Sequence, residues 1–265
     1  MAYERIILEF KDNIAVLTLN DPDVLNAVST RMLAELTDAL TQIENPDNGA
    51  RCLVLTGAGR GFCAGANLSD PDRPENKEGA SEERTVLDKW YHPIFLRLRD
   101  LRMPYICAVR GPAAGVGMSL ALSADLILAG RSAFFLQAFR QVALVPDGGA
   151  TYYLPRLVGK ARAMELSLLA ERLPAEKALE WGMINRVYED DQLLEEALKM
   201  AKDLAEGPTV AFALMRKAYW HSLDSTYERQ LKLEDGYQKV LKKTEDGKEG
   251  PKAFLEKRKP QFKGR

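Results

Sequence analysis

Asp147 stands in Pro146-Asp147-Gly148-Gly149, with Phe134, Phe135, Phe139, Val142, Leu144 and Val145 before it and Tyr152 and Tyr153 after it. A carboxylate taken out of water by such neighbours has a raised pKa and becomes a competent general base. The same tetrapeptide ahead of a helix also serves as an ordinary turn or cap, and the residues alone leave both readings open. A second candidate lies in the backbone. Gly115 and Gly117 open the almost wholly apolar run Val116 to Ala124, just after the short apolar stretch Tyr105 to Val109. A buried helix that begins at glycines points its first N–H groups into the space ahead and favours negative charge there, which makes a site for an oxyanion. The competing reading is that these glycines only allow a helix and a strand to approach closely.

Other chemistries find less support. The chain has 2 histidines, so a Ser-His-Asp triad has few candidates. His92, in Trp90-Tyr91-His92-Pro93, could face a pocket, whereas His221 beside Trp220 reads as structural. The 3 cysteines, Cys52, Cys63 and Cys107, match neither zinc-ligand nor disulfide spacing and read as reduced and structural. No metal-ligand cluster is visible. The loop Gly57 to Asn67 invites a nucleotide-binding reading and fails it. Phe62 occupies the place of the third glycine of a dinucleotide fingerprint, and no Lys-Ser or Lys-Thr follows as in a P-loop.

These groups must be held by a frame of 265 residues, long enough for one large domain or a core with an appendage. A formal net charge of -1 argues against nucleic acid as the main partner. No apolar run approaches the length of a membrane span, and the N-terminus carries no signal or transit pattern, so the expectation is a soluble, cytoplasmic protein.

Tyr3 to Phe10 and Ile14 to Leu19 read as strands joined by a Lys11-Asp12-Asn13 turn. Ser29 caps a helix whose apolar positions Met32, Leu33, Leu36, Leu40 and Ile43 recur at helical spacing until Asn45-Pro46. Cys52 to Thr56 is a buried strand. Ser69 to Arg84 is a polar, charged excursion, expected to be mobile, followed by a helix over about residues 82 to 101. Strands at Tyr105 to Val109, Leu126 to Ala129 and Ala133 to Phe135 alternate with helices, the last of these over Thr151 to Leu169, which implies an α/β core. Beyond Asp191 only helices are expected: Leu193 to Ala205, Val210 to Leu223, Thr226 to Leu241 and a short one near Lys252 to Lys257. Their apolar stripes need a partner surface, either the core or another subunit.

A set of motifs now stands in order along the chain. They are Leu25-Asn26-Ala27, Gly61 to Leu68, Gly111 to Met118, Asp125 with Ile127 and Ala129, Leu154 to Lys160, Ala178 to Val187 around Glu180-Trp181-Gly182, and Phe254 to Arg258 with Phe262. On these motifs the sequence resembles the crotonase superfamily, the enoyl-CoA hydratase/isomerase family, over nearly its whole length. The resemblance implies an α/β fold with a spiral core of ββα turns over residues 1–195 and a C-terminal helical trimerisation region over 196–265. A homotrimer or a dimer of trimers would follow. It also implies an acyl-CoA substrate, with coenzyme A part of that substrate and no separate cofactor.

The resemblance carries over to particular residues. The backbone N–H groups of Ala66 and Val116 would receive the thioester oxygen. Val24, Ala64, Leu68, Gly115, Ser119 and Phe139 would line the substrate. Asn67 stands where the family more often has aspartate, and no contact is carried over for it. The two glutamates of the family's hydratases fall on Ser119 and Phe139, neither of which is an acid, whereas Asp147 matches the aspartate of isomerase members. Val145 to Gly149 with Gln137-Ala138-Phe139 is most similar to the epoxyphenylacetyl-CoA isomerase subgroup. One base suffices there: it removes a proton, the enolate rests in the oxyanion hole, and the acid returns the proton to another carbon.

Other readings stand beside the isomerase. One is a hydratase with an altered mechanism. Another is a hydrolytic or dehalogenase-like enzyme, since the spacing of His92 and Asp147 resembles that of halobenzoyl-CoA dehalogenases, although Phe139 replaces their tryptophan. The last is a catalytically silent CoA-binding oligomer, whose basic tail, Lys242 to Arg265, meets phosphate, an acidic partner or solvent.

Overall fold

The computed structural model describes residues 3–72 and 85–265. Strands β1 (Ile6–Lys11) and β2 (Ile14–Leu19) pair antiparallel with Lys11 opposite Ile14. That register leaves Asp12 and Asn13 as a two-residue turn with φ of 52° and 61°, a conformation their short polar side chains tolerate. Helix α1 (Thr30–Glu44) starts where the Ser29 hydroxyl accepts the Met32 N–H at 3.2 Å. It buries Met32, Leu33, Leu36, Leu40 and Ile43 and stops before Pro46. Strand β3 (Cys52–Gly57) follows. Residues 73–84 of the polar excursion, and with them the expected helix start at Glu82, lie outside the described residues. A π-helical turn over Leu87–Tyr91 leads into α2 (His92–Asp100).

The next elements alternate between two sheets. They are β4 (Tyr105–Val109), β5 (Pro112–Ala114), α3 (Val116–Leu122), β6 (Leu126–Gly130), β7 (Phe134–Leu136), α4 (Ala150–Leu169), β8 (Leu173–Pro174), α5 (Ala175–Glu180) and β9 (Arg186–Tyr188). The large sheet has the order β1-β2-β3-β4-β6-β9 and is parallel except for the first pair. The small sheet has the order β5-β7-β8. The progression strand, strand, helix therefore recurs as β1-β2-α1, β4-β5-α3 and β6-β7-α4. This is the α/β core of ββα turns.

Period-2 alternation gives each central strand two apolar faces. Leu53, Leu55, Tyr105, Cys107 and Val109 point into the main core with α1, α2 and α3. Cys52, Val54, Ile106, Ala108 and Leu128 point the other way, onto the stripe Leu193, Ala197, Ala201 and Ala205 of α6 (Leu193–Ala205). The boundary expected at residue 195 falls within this helix. Beyond it come α7 (Thr209–Ser222), α8 (Tyr227–Leu241) and α9 (Glu245–Leu255). Arg216 fastens α7 to the core by donating to both Asp125 oxygens, at 2.8 and 2.6 Å, and to the Leu98 carbonyl at 2.9 Å.

Two helices differ from expectation. Helix α4 is interrupted at Gly159 (φ 79°, ψ 160°), so its two halves follow separate axes. Helix α9 begins at Glu245, ahead of the expected Lys252, and runs through Gly247, Gly250 and Pro251. The Thr244 hydroxyl caps this start by accepting the Gly247 N–H at 2.9 Å.

Candidate active site

Two loops converge on the start of α3. The first runs from Gly61 to Asn67 and is held by Asn26, whose fully buried amide donates to the carbonyls of Ala58 and Gly61 at 3.0 and 2.7 Å. Its Oδ1 accepts the Asp21 N–H at 2.8 Å. Val28 then donates to the Gly65 carbonyl and accepts from the Asn67 N–H, so that it brackets Ala66 on one side. In a parallel bridge of this kind the bracketed residue turns its own N–H away. Gly65, next to Ala66, faces Gly115: a Cβ built on Gly115 would come within 3.8 Å of the Gly65 Cα. Gly117 must also be glycine, because a Cβ would fall 2.4 Å from the Cys63 carbonyl oxygen. These contacts seat the first turn of α3 on the Cys63 to Ala66 loop, with Ala66 and Val116 each next to one of the facing glycines. Val116 is the first residue of α3, so its N–H has no acceptor within the helix.

The second loop carries Asp147. Ser119, one turn after Val116, is fully buried and donates its hydroxyl proton to the Asp147 carbonyl at 2.8 Å. Gly148, with φ of 60°, packs between Ser119 and Phe95. Asp147 itself is half-buried, in the turn that its carbonyl closes with the Ala150 N–H at 3.1 Å. Phe139 is buried and brings its ring within 3.9 Å of a Cβ position on Gly115. Ala66, Gly115, Val116, Ser119, Phe139 and Asp147 thus gather around one end of α3.

The remaining candidates lie further out. Ala64 donates to the Leu25 carbonyl at 2.9 Å, next to Val24, and both Val24 and Leu68 are exposed. His92 is also exposed. Its Nδ1 pairs with the Asp88 carboxylate at 3.0 Å along the same helical stretch, one turn before Phe95. The Cys63 thiol offers no nucleophile, because burial pushes it up to about 12 and keeps it protonated. Among the described residues no group of His, Cys, Asp and Glu is arranged to hold a metal ion, and no helix is long and apolar enough to cross a membrane.

Residues 9–265 match the family described as enoyl-CoA hydratase/isomerase. The chain belongs to that family. Among its relatives, the 1,2-epoxyphenylacetyl-CoA isomerase of Escherichia coli K12 is 45% identical over 99% of each chain. A probable enoyl-CoA hydratase of Rhodobacter capsulatus is 42% identical over the full length of both. A solved structure, a putative enoyl-CoA hydratase from Streptomyces coelicolor, superposes with a TM-score of 0.92 at 34% identity and covers 100% of this chain and 96% of its own.

In this family member, three residues of the site escaped the sequence reading. Asn26 was visible only as part of a motif, although an Asn beside turn residues is the type that accepts a positive φ, here 56°. Phe95 was not singled out at all, because nothing local shows that it meets Gly148. Gly148 signalled a turn but not the crowding around it.

Proposed function

We propose that this chain isomerises an enoyl-CoA thioester, with Asp147 as the one proton shuttle. The Asp147 carboxylate takes a proton from a carbon next to the double bond or the carbonyl. The electron pair moves to the thioester oxygen, and the backbone N–H groups of Ala66 and Val116 stabilise the enolate. The resulting carboxylic acid then returns the proton to a different carbon, and the double bond has moved. Two preorganised donors suit this step because they bind the enolate more strongly than the neutral thioester, and losing one such donor costs about 3 kcal/mol. The scheme needs no cofactor beyond the coenzyme A of the substrate.

The observation that supports this reading is the composition of the site around Asp147. Ser119, Phe95 and Phe139, which pack against its turn or against Gly115, are all without an acid or base. The name of the Escherichia coli relative points the same way. That of the Rhodobacter capsulatus relative favours a second reading, water addition across the double bond. NMR of straight-chain and aryl enoyl-CoAs in deuterated water separates the two. Isomerisation moves the double bond and places deuterium on the acyl chain, whereas hydration accumulates a hydroxyacyl-CoA. Asp147→Asn should abolish deuterium uptake, and uptake that persists in that variant would overturn the assignment.

We also propose that copies of this chain assemble through α7, α8 and α9, as a homotrimer or a dimer of trimers. The support is that Tyr219, Tyr227, Phe254 and Leu255 on these helices are exposed, since large apolar side chains left in water favour a contact that buries them.

A further inference from the structure

The Ser119 side chain ties α3 to the Asp147 turn by a hydrogen bond, and we infer that it is a positioning residue for the catalytic carboxylate. The inference rests on the isomerase reading and adds to it the device that sets where the base stands.

The hydroxyl is fully buried and lies 2.8 Å from the Asp147 carbonyl oxygen. A serine has a single proton to donate. While that proton is on the Asp147 carbonyl, Ser119 has none for a bound thioester. The second oxygen near the hydroxyl, the Gly115 carbonyl, is at 3.5 Å, at the limit of a hydrogen bond, and already accepts the N–H groups of Met118 and Ser119. The Asp147 carbonyl in turn accepts from two sides, from Ser119 and from the Ala150 N–H at 3.1 Å. Both of its lone pairs are engaged, so the peptide that carries the carboxylate has a fixed place relative to α3.

That place matters because α3 also begins at Val116, three residues before Ser119. Three residues of helix span about 4.5 Å. The proposed enolate donor and the anchor of the proposed base therefore sit one turn apart on the same rigid, buried element. The separation between proton acceptor and oxyanion donor is set by helix geometry and not by a loop. Without the Ser119 hydroxyl, the Asp147 carbonyl loses one of its two donors, and with it the hydrogen bond that ties the turn to α3. A displacement of the base of about 1 Å costs up to a hundredfold in rate, while contacts to the rest of the substrate are untouched.

The experiment compares wild type, Ser119→Ala, Ser119→Cys, Asp147→Asn and the double variant Ser119→Ala/Asp147→Asn. The readouts are deuterium exchange into a straight-chain enoyl-CoA, the Kd for butanoyl-CoA, which has no double bond to move, and Tm. Ser119→Cys keeps the buried volume while replacing a strong donor with a weak one. The expected result is a fall in kcat of about tenfold in both single variants, with KM and the butanoyl-CoA Kd within twofold of wild type. In the Asp147→Asn background the Ser119→Ala change should remove no further exchange, because a residue that acts through another has nothing left to act on. Wild-type kcat in Ser119→Ala and Ser119→Cys would overturn the inference. So would an unchanged kcat with a raised KM, an equal further loss in the double variant, or failure of both single variants to fold. If Asp147→Asn itself exchanges at the wild-type rate, the isomerase reading falls, and this outcome is separate from the others.

Discussion

Gly148 packs against one edge of the Phe95 ring so closely that a Cβ on the glycine would fall 2.7 Å from Cζ and 2.9 Å from Cε2. The same Cβ would lie 2.7 Å from the Cβ of Ser119. A phenyl ring can shift by a few tenths of an ångström, but Ser119 is fixed in a buried helix, so the turn itself must move. The φ of 60° adds backbone strain of about 1 kcal/mol for any residue with a Cβ. Gly148→Ala should therefore displace Asp147 and lower kcat for deuterium exchange about tenfold or more, with a lower Tm. An alanine variant with wild-type kcat would show that the turn tolerates the displacement and that the position of Asp147 is not tightly set.

A different carboxylate gives a pH-dependent prediction for the fold. Glu35 on α1 has a side chain only 7% exposed. It accepts the N–H groups of Glu4 and Arg5 at 3.1 and 2.8 Å and the Arg31 guanidinium at 2.7 Å. Burial alone would push its carboxyl up. The two backbone donors and Arg31 outweigh burial and hold it below the usual carboxylate range. A folded-state pKa below the unfolded one of about 4.3 means that the carboxylate stabilises the fold in full above that value. The contribution is lost as pH falls through the lower, folded value. Glu35→Gln should lower Tm by about 5 °C at pH 7, from the loss of about 2 kcal/mol of charge-assisted hydrogen bonding. The gap between variant and wild type should stay constant down to about pH 5 and narrow below pH 4. A gap that is the same at pH 3 and pH 7 would show that the packing of the side chain, and not its charge, supports the β1–α1 contact.

The difference between what could and could not be read in the sequence has a physical basis. The β1–β2 hairpin, the Ser29 cap and the helix Leu193 to Ala205 depend on residues within a few positions of one another, and local spacing reveals them. Of the small sheet only β7 is anticipated, by the run Ala133 to Phe135; β5 and β8 are missed because they are three and two residues long, and Gly111 to Gly115 reads as a turn although it contains β5. The candidate site divides in the same way. Gly115, Val116 and Asp147 could be selected from their local context. The contact between Ser119 and Asp147 joins residues 28 positions apart, and the packing of Phe95 on Gly148 joins two different helices' surroundings, so neither leaves a periodic trace. His92 was selected from its neighbours alone. Its aromatic neighbours suggested a pocket, whereas the adjacent turn offers Asp88, and the pair forms on an exposed surface.

The C-terminal helices supply the last prediction. Phe254 and Leu255 at the end of α9 are 83% and 80% exposed, and Tyr227 at the start of α8 is 74% exposed. Leaving such side chains in water forgoes about 1.5–3 kcal/mol each relative to burial, so the proposed assembly would gain by covering them. The helices are fastened to the rest of the chain. Arg216 fixes α7 to Asp125, and the Asp246 carboxylate at the start of α9 accepts the N–H groups of Lys263 and Gly264 at 2.6 and 2.8 Å. Sedimentation equilibrium at micromolar concentration should give a mass three or six times that of the chain. The Phe254→Lys/Leu255→Lys double variant adds two positive charges where two apolar side chains would be buried, and should shift the distribution toward the monomer with an unchanged circular dichroism spectrum. A wild-type chain that sediments as a monomer at tens of micromolar, or a double variant that assembles as fully as wild type, would remove the contact from this end of α9.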